Sequence, residues 1–399
     1  MSPTPSNDSR LPDSPIPGLL PWRPEWAFWL LMLYFAVLGV LVGATGVVWA
    51  SLVDEIGVES GPFGTAQLVS ALVSTVIVVA YARLSGWRGP RLVAAAGAAV
   101  VAGAMLALAG ADSLTLLVLA LALMGLGTGL TDGAMTQGSV DWEQATRRRR
   151  MNLFHAGFSI GAVVGAFGTG GLLAADLSYR LPLLIVAGLH VFLVLLTAAV
   201  RFPPVESRPR SSRFSDVGDV LESQAVRALV LIILLSIVVE IGVFIWGVIY
   251  IQTELGGSEL VGGIGYGAFN AAMFAGRLLN VRLVDRYGAR ASLAISGVGL
   301  VVGGVALVAA WGPVVGLVAL ALTGFGVAGI YPTVMSAAGD RLPGRSGTLA
   351  SVMMTATYSA GIVTPPLMGW IAQFGSLRIS MAAIALSGAG ILWLTRRLE

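Results

Sequence analysis

Apolar runs of about 20 residues recur along the whole of this 399-residue chain, and each is long enough to cross roughly 30 Å of hydrocarbon at 1.5 Å per residue. Inside hydrocarbon a segment must satisfy its own backbone N–H and C=O groups, which leaves helices or a closed barrel. The alternating pattern of a barrel strand is absent, so the runs are read as helices. Composition agrees: 56% of residues are hydrophobic and 11% charged, against roughly a quarter charged in a soluble domain.

Twelve spans are expected, in two sets of six. The first lies near 26–50, 62–83, 92–111, 114–139, 151–175 and 181–201. The second lies near 228–251, 260–281, 291–310, 312–338, 346–371 and 377–395. The fold class is therefore an all-α membrane protein with an N-terminal half over 26–201 and a C-terminal half over 228–399. A polar linker over 202–227 joins them. Residues 1–25 are rich in Pro, Ser and Asp, lack the layout of a signal peptide, and are expected to be a disordered cytoplasmic tail. Trp22, Trp26 and Trp29 flank the entry to the first span, where amphipathic rings suit the headgroup region.

Several function classes drop out. There is no cysteine, which removes disulfides and thiolate chemistry. All 24 Lys+Arg residues are arginine, so no Walker A lysine exists for an ATP-driven pump. His155 and His190 are the only histidines and lie 35 positions apart, so no metal site is expected, and no cofactor or catalytic constellation is found. An enzyme is not expected.

Of the arginines, 21 fall on one side of the predicted bundle, which makes that side cytoplasmic and puts both termini there. A bacterial-type inner membrane is the expected location. The run Arg147 to Arg150 reads as a topology signal facing lipid headgroups, not as a nucleic-acid site.

The halves repeat. At an offset of 199 residues "LMGLGTGLTDG" (123–133) falls on "LTGFGVAGIYP" (322–332), matching Gly125 with Gly324 and Gly127 with Gly326. At the same offset "RLSGWRGPR" (83–91) meets "RLVDRYGAR" (282–290), matching Gly89 with Gly288 and Arg91 with Arg290. One residue of drift later, Arg180 aligns with Arg378. Two repeated halves around a midplane site are the layout of parallel-repeat transporters.

These stretches resemble the major facilitator superfamily. "RLVDRYGAR" is similar to its signature after the eighth helix, with Leu283, Asp285, Arg286, Gly288 and Arg290 in the matching places; the equivalent stretch after the second span has Gly86 where the signature has its acid. Within the superfamily, "GLGTGLTDGAMTQ", "MNLFHAGFSIGAVVGA", "FNAAMFAGRLLNVRLVDRYGAR" and "YSAGIVTPPLMGW" resemble the fucose-permease-like branch and its bacterial inner-membrane relatives. That resemblance implies a cavity lined by the first, fourth, seventh and tenth spans. It also implies a transport role for Asp132, which matches the acid of the family's fourth helix, while Thr136 stands where that helix has an asparagine. The family's first-helix acid has no counterpart, because residues 27–50 carry no charge.

Of the 21 acidic residues, only Asp132 and Glu240 fall well inside spans, and intramembrane charges are costly enough to mark function. An acid whose proton exchanges with one side at a time couples solute movement to a proton gradient. The structural alternative is a permanent ion pair or a hydrogen bond to a neighbouring helix. His155 lies at about the depth of Asp132 and is a candidate relay partner or an interhelical packing group. Trp246, Asn270, Tyr331 and Tyr358 are candidate cavity residues. Arg277 is a candidate gate, with Asp285 its expected partner two turns on; Arg286, Gly288 and Arg290 complete the conformational set. The expected function is proton-coupled transport of a small organic solute, sugar-like in one version, by a monomer in contact with lipid. Export of drugs or metabolites and a non-transporting sensor on the same fold are the alternatives.

Overall fold

The computed structural model describes residues 23–148, 150–202, 221–341 and 346–398, with the side chains of 82–88, 152 and 346–351 outside the description. Residues 1–22 of the expected tail, most of the linker, Arg149, Arg345 and the environment of Gly86 thus lie outside the described residues, while Pro24 and Glu25, expected in the tail, begin α1.

Eleven helices are present among the described residues: α1 (Pro24–Ile56), α2 (Ser60–Ala109), α3 (Leu114–Thr146), α4 (Met151–Ala174), α5 (Arg180–Ala199), α6 (Gln224–Thr253), α7 (Glu259–Ala309), α8 (Pro313–Val327), α9 (Ile330–Arg341), α10 (Ser346–Phe374) and α11 (Leu377–Thr395). Ten helical segments are long and apolar enough to cross a membrane by length and composition. Gly288 divides α7 into two passages and α10 adds a further one, consistent with twelve. Ser113, Ser223, Ser258 and Ser376 start α3, α6, α7 and α11, each Oγ accepting from the backbone N–H three residues on, which satisfies a donor the helix leaves open.

Two expected loops are instead sharp corners within long helices. α2 turns at Gly89 (φ 75°, ψ 152°) and α7 at Gly288 (φ 79°, ψ 168°), a region of backbone space that only glycine enters without strain. The four glycines with positive φ among the described residues are Gly57, Gly256, Gly89 and Gly288, which form two pairs at the 199-residue offset. The repeat is therefore written in backbone geometry.

It is also written in hydrogen bonds. Just after its corner, Arg91 donates from Nε to the Thr197 carbonyl at 2.7 Å, closing the end of α5; Arg290 does the same to Thr395 at the end of α11, at 3.2 Å. On the opposite side Arg180 donates to the Ala109 carbonyl at 3.0 Å, and Arg378 to those of Val308 and Ala310 at 2.8 and 2.7 Å. In each case a cation meets carbonyls at a helix end, where the helix dipole favours positive charge. Close helix approach repeats too: a Cβ on Gly125 would collide with the Ser70 carbonyl oxygen, and one on Gly324 with that of Phe269, the backbone proximity that small residues permit in membranes.

The halves differ at the fourth and tenth spans. The fourth span is the continuous helix α3, whereas the tenth is broken between Val327 and Ile330. Buried Asn280 holds the break: its Nδ2 donates to the Gly329 carbonyl at 3.4 Å and to Thr333 Oγ1 at 2.9 Å, while its Oδ1 accepts from Ser292 Oγ at 2.5 Å.

Replacing Gly288 by Ala is expected to destabilise the fold by roughly 1–3 kcal/mol, the usual cost of forcing an L residue into that backbone region. Gly103→Ala, where a Cβ meets nothing within 4 Å, is the control and should leave the thermal unfolding midpoint in detergent unchanged.

Candidate functional site

A cavity of about 500 Å³ lies between the halves. Its wall is built around the repeat: Leu38 and Ile237, Leu41 and Glu240, Val42 and Ile241, Gln67 and Tyr266, Ser70 and Phe269, Ala71 and Asn270, Ser74 and Met273, and Phe158 and Thr357 all line it. Every one of these pairs is separated by 199 positions, so the same helix faces of both halves meet across one pseudo-two-fold axis. Met124, Thr128 and Asp132 from α3 and Phe244, Tyr358 and Pro365 from the other half enter the same wall.

Asp132 and Glu240 thus stand in one cavity, the first contributed by the N-terminal half and the second by the C-terminal half. Both are partly accessible through it. Neither has a hydrogen-bond or ion-pair partner among the described residues, where the ion pair present is Arg180 with Glu55 at the far end of the bundle. Three of the wall's polar side chains donate to backbone carbonyls. Asn270 Nδ2 donates to the Tyr266 carbonyl at 2.9 Å, Thr128 Oγ1 to the Met124 carbonyl at 2.7 Å and Thr357 Oγ1 to that of Met353 at 3.0 Å.

The other expected site residues separate. Asn270 and Tyr358 line the cavity. Trp246 does not: it is 1% exposed and meets Phe63 edge-on at 5.5 Å. The neighbouring Ile245 is the wall residue, and one step along a helix rotates the next side chain by about 100°. Tyr331 is exposed and outside the wall, though within electrostatic reach of both carboxylates. The tenth span as a whole contributes no wall residue, contrary to expectation. Asn280 pins its break, and the second, fifth, eighth and eleventh spans supply wall instead.

His155 makes no hydrogen bond to Asp132; its ring meets Phe35 edge-on at 5.2 Å. Arg277 is not paired with Asp285 among the described residues. It reaches across the halves to Ser159 Oγ at 3.4 Å, and back along its own helix to Met273 Sδ at 3.5 Å, within electrostatic range of Glu240 and His155. Asp285, Arg286 and Gly288 are exposed at the α7 corner, while Arg290 closes α11.

Sequence reading missed Gln67, a wall residue 4% exposed whose Nε2 has no partner. The signal was available: Gln67, Ser70, Ala71 and Ser74 follow the i, i+3, i+4, i+7 spacing of one helix face, and Gln67 lies 199 positions before Tyr266.

One side of the cavity is sealed. Away from the side on which α1 begins and α11 ends, Gly61 N donates to Gln373 Oε1 at 2.9 Å, Gln373 Nε2 to Glu59 Oε2 at 2.5 Å, and Trp370 Nε1 to Thr65 Oγ1 at 3.2 Å. Trp49 and Phe244 add a ring contact between halves at 6.5 Å. Toward the termini, Thr136, His155 and Tyr331 are exposed.

The family described as Major Facilitator Superfamily matches residues 28–365. The chain belongs to the major facilitator superfamily. Among its relatives, an uncharacterised transporter of Sinorhizobium fredii is 29% identical over 381 residues, covering 93% of this chain and 96% of its own. The membrane protein MosC of Rhizobium meliloti is 23% identical, covering 90% and 86%. The nucleoside transporter NupG shares the fold with a TM-score of 0.77 at 13% identity over 94% of this chain and 98% of that one. The E. coli fucose:proton symporter, FucP, does so with a TM-score of 0.61 at 20% identity, over 93% and 98%. A multi-pass membrane transporter of this superfamily, and not an enzyme, is what the chain encodes.

The native chain lacks cysteine, so single replacements report access directly. Thr128→Cys in the wall is expected to react with a water-soluble maleimide supplied on the terminus side. Val248→Cys, at a fully buried position of α6, should not react.

Proposed function

We propose that this protein is a proton-coupled secondary transporter that moves a small organic solute by alternating access, with Asp132 and Glu240 as the groups that carry the proton. The observation that carries the reading is that the two intramembrane carboxylates, one from each half, open into one cavity with no counterion in its wall. Rocking of the halves about that cavity changes which side supplies the proton, because the two acids belong to the two moving bodies. A membrane potential of about 100 mV delivers roughly 2.3 kcal/mol per charge moved, enough for about fiftyfold accumulation of a neutral solute per proton.

The arrangement of arginines supports cytoplasmic termini in a bacterial-type inner membrane, and in that orientation the open side of the cavity faces inward. Arg277, which reaches Ser159 of the other half beside the cavity, and His155 next to it shape the field on that side. A single chain supplies the whole cavity, which supports a monomeric transporter surrounded by lipid.

The fucose:proton symporter among the structural neighbours carries in its name the coupling proposed here, and uptake of a sugar-like solute is the symport form of the reading. Export in exchange for protons is the second form. It is favoured by the wall, in which Phe158, Phe244, Phe269, Tyr266 and Tyr358 outweigh the polar groups.

In proteoliposomes screened against sugars, amphiphilic amines and organic acids, Asp132→Asn and Glu240→Gln are each expected to lower pH-gradient-driven accumulation by about tenfold or more. Accumulation left intact by both substitutions defeats the coupling assignment.

A further inference from the structure

We propose that the cavity selects a solute carrying a positive charge, with the side-chain amide of Gln67 binding that solute's neutral polar group; this rests on the cavity being the solute site.

The charges that face the cavity set its preference. Asp132 enters from α3 and Glu240 from α6, and the wall's other titratable groups are Tyr266 and Tyr358. No arginine or histidine lines the wall among the described residues. Arg277, the nearest cation, lies outside it and is engaged with Ser159 and Met273, and His155 lies outside it against Phe35. A bound anion would face two acids and no counterion, whereas a cation meets two carboxylate acceptors and the negative faces of aromatic rings.

Gln67 supplies the independent observation. It is 4% exposed, lies in the wall, and its Nε2 has no hydrogen-bond partner. The neighbouring amide and hydroxyl donors at Asn270, Thr128 and Thr357 are spent on backbone carbonyls. A buried amide left unpaired is destabilising, and the cavity is where its partner can arrive. A solute with a cationic end and a hydroxyl satisfies acids and amide together.

The proton balance follows. Each carboxylic acid that accepts the cation as counterion gives up its own proton to water, so cation and proton occupy the same oxygens alternately. Exchange of the two across the membrane needs no further device.

The test uses the full chain in lipid nanodiscs and three probes of one skeleton: tyramine, tyrosol and 4-hydroxyphenylacetate, which are cationic, neutral and anionic at neutral pH. Calorimetry is expected to show tyramine binding at least about tenfold tighter than tyrosol, a difference of about 1.4 kcal/mol, and no binding of the anion. Gln67→Met, which keeps the side-chain volume, should weaken tyramine roughly tenfold, as loss of a buried hydrogen-bond partner does. It should leave 2-phenylethylamine, which lacks the hydroxyl, unchanged. Absence of tyramine binding, or equal or tighter binding of tyrosol or the anion, overturns the charge selection, and this comparison needs no variant. Equal weakening of both amines, or of neither, overturns the role of Gln67. Repeating the titration in buffers of different ionisation enthalpy separates the two readings. Tyramine binding without proton release leaves charge selection standing and defeats proton coupling; proton-driven uptake of an anion does the reverse.

Discussion

A carboxylate in an apolar wall without a counterion is the constraint around which this molecule is arranged. Taking such a charge out of water costs on the order of several kcal/mol, while a typical hydrogen bond returns about 1 kcal/mol net. No one cavity hydrogen bond therefore holds Asp132 or Glu240 permanently charged. Each must take a proton, a cation or water from the cavity, and which of these is available depends on the side to which the cavity opens. In the proposed mechanism, that dependence links the chemistry of two side chains to the movement of two bodies.

The scaffold supplies those bodies by repetition. Four arginines at equivalent corners tie helix ends to their neighbours within each half, and Gly125 and Gly324 let the fourth and tenth spans lie directly on the second and eighth. Contacts of this kind stiffen each half internally. Hydrogen bonds between halves are sparser and cluster on the sealed side, where Glu59, Gly61 and Gln373 form a short polar latch beside the aromatic contact of Trp49 with Phe244. Rigid halves that pack along α2 with α10 and α4 with α7, with few hydrogen bonds between them, are suited to rocking.

Much of this was legible in the sequence because hydrocarbon thickness and the cost of charge leave strong marks. Most helix starts fall within a few residues of the starts of the apolar runs, though α1 and α3 run on past their expected ends, and the two acids found inside those runs are the two found in the cavity wall. The offset that matched Gly89 with Gly288 also matches the wall residues of the two halves in pairs. What stayed hidden depends on distant partners or on fine helix rotation. The break after Val327 is marked locally only by Pro332, which has no N–H for the Ala328 carbonyl, and is held by Asn280, 49 positions before Gly329. Trp246 and Ile245 are both apolar neighbours on α6, and only packing against Phe63 decides which of them faces the cavity.

The central claim is that Asp132 and Glu240 change ionisation in this cavity. Infrared difference spectra of the purified protein between acidic and alkaline pH measure that change through the carbonyl stretch of a protonated carboxylic acid. The account predicts such a band in the unmodified chain, with a distinct component removed by Asp132→Asn and another by Glu240→Gln. Spectra that neither substitution alters would contradict it.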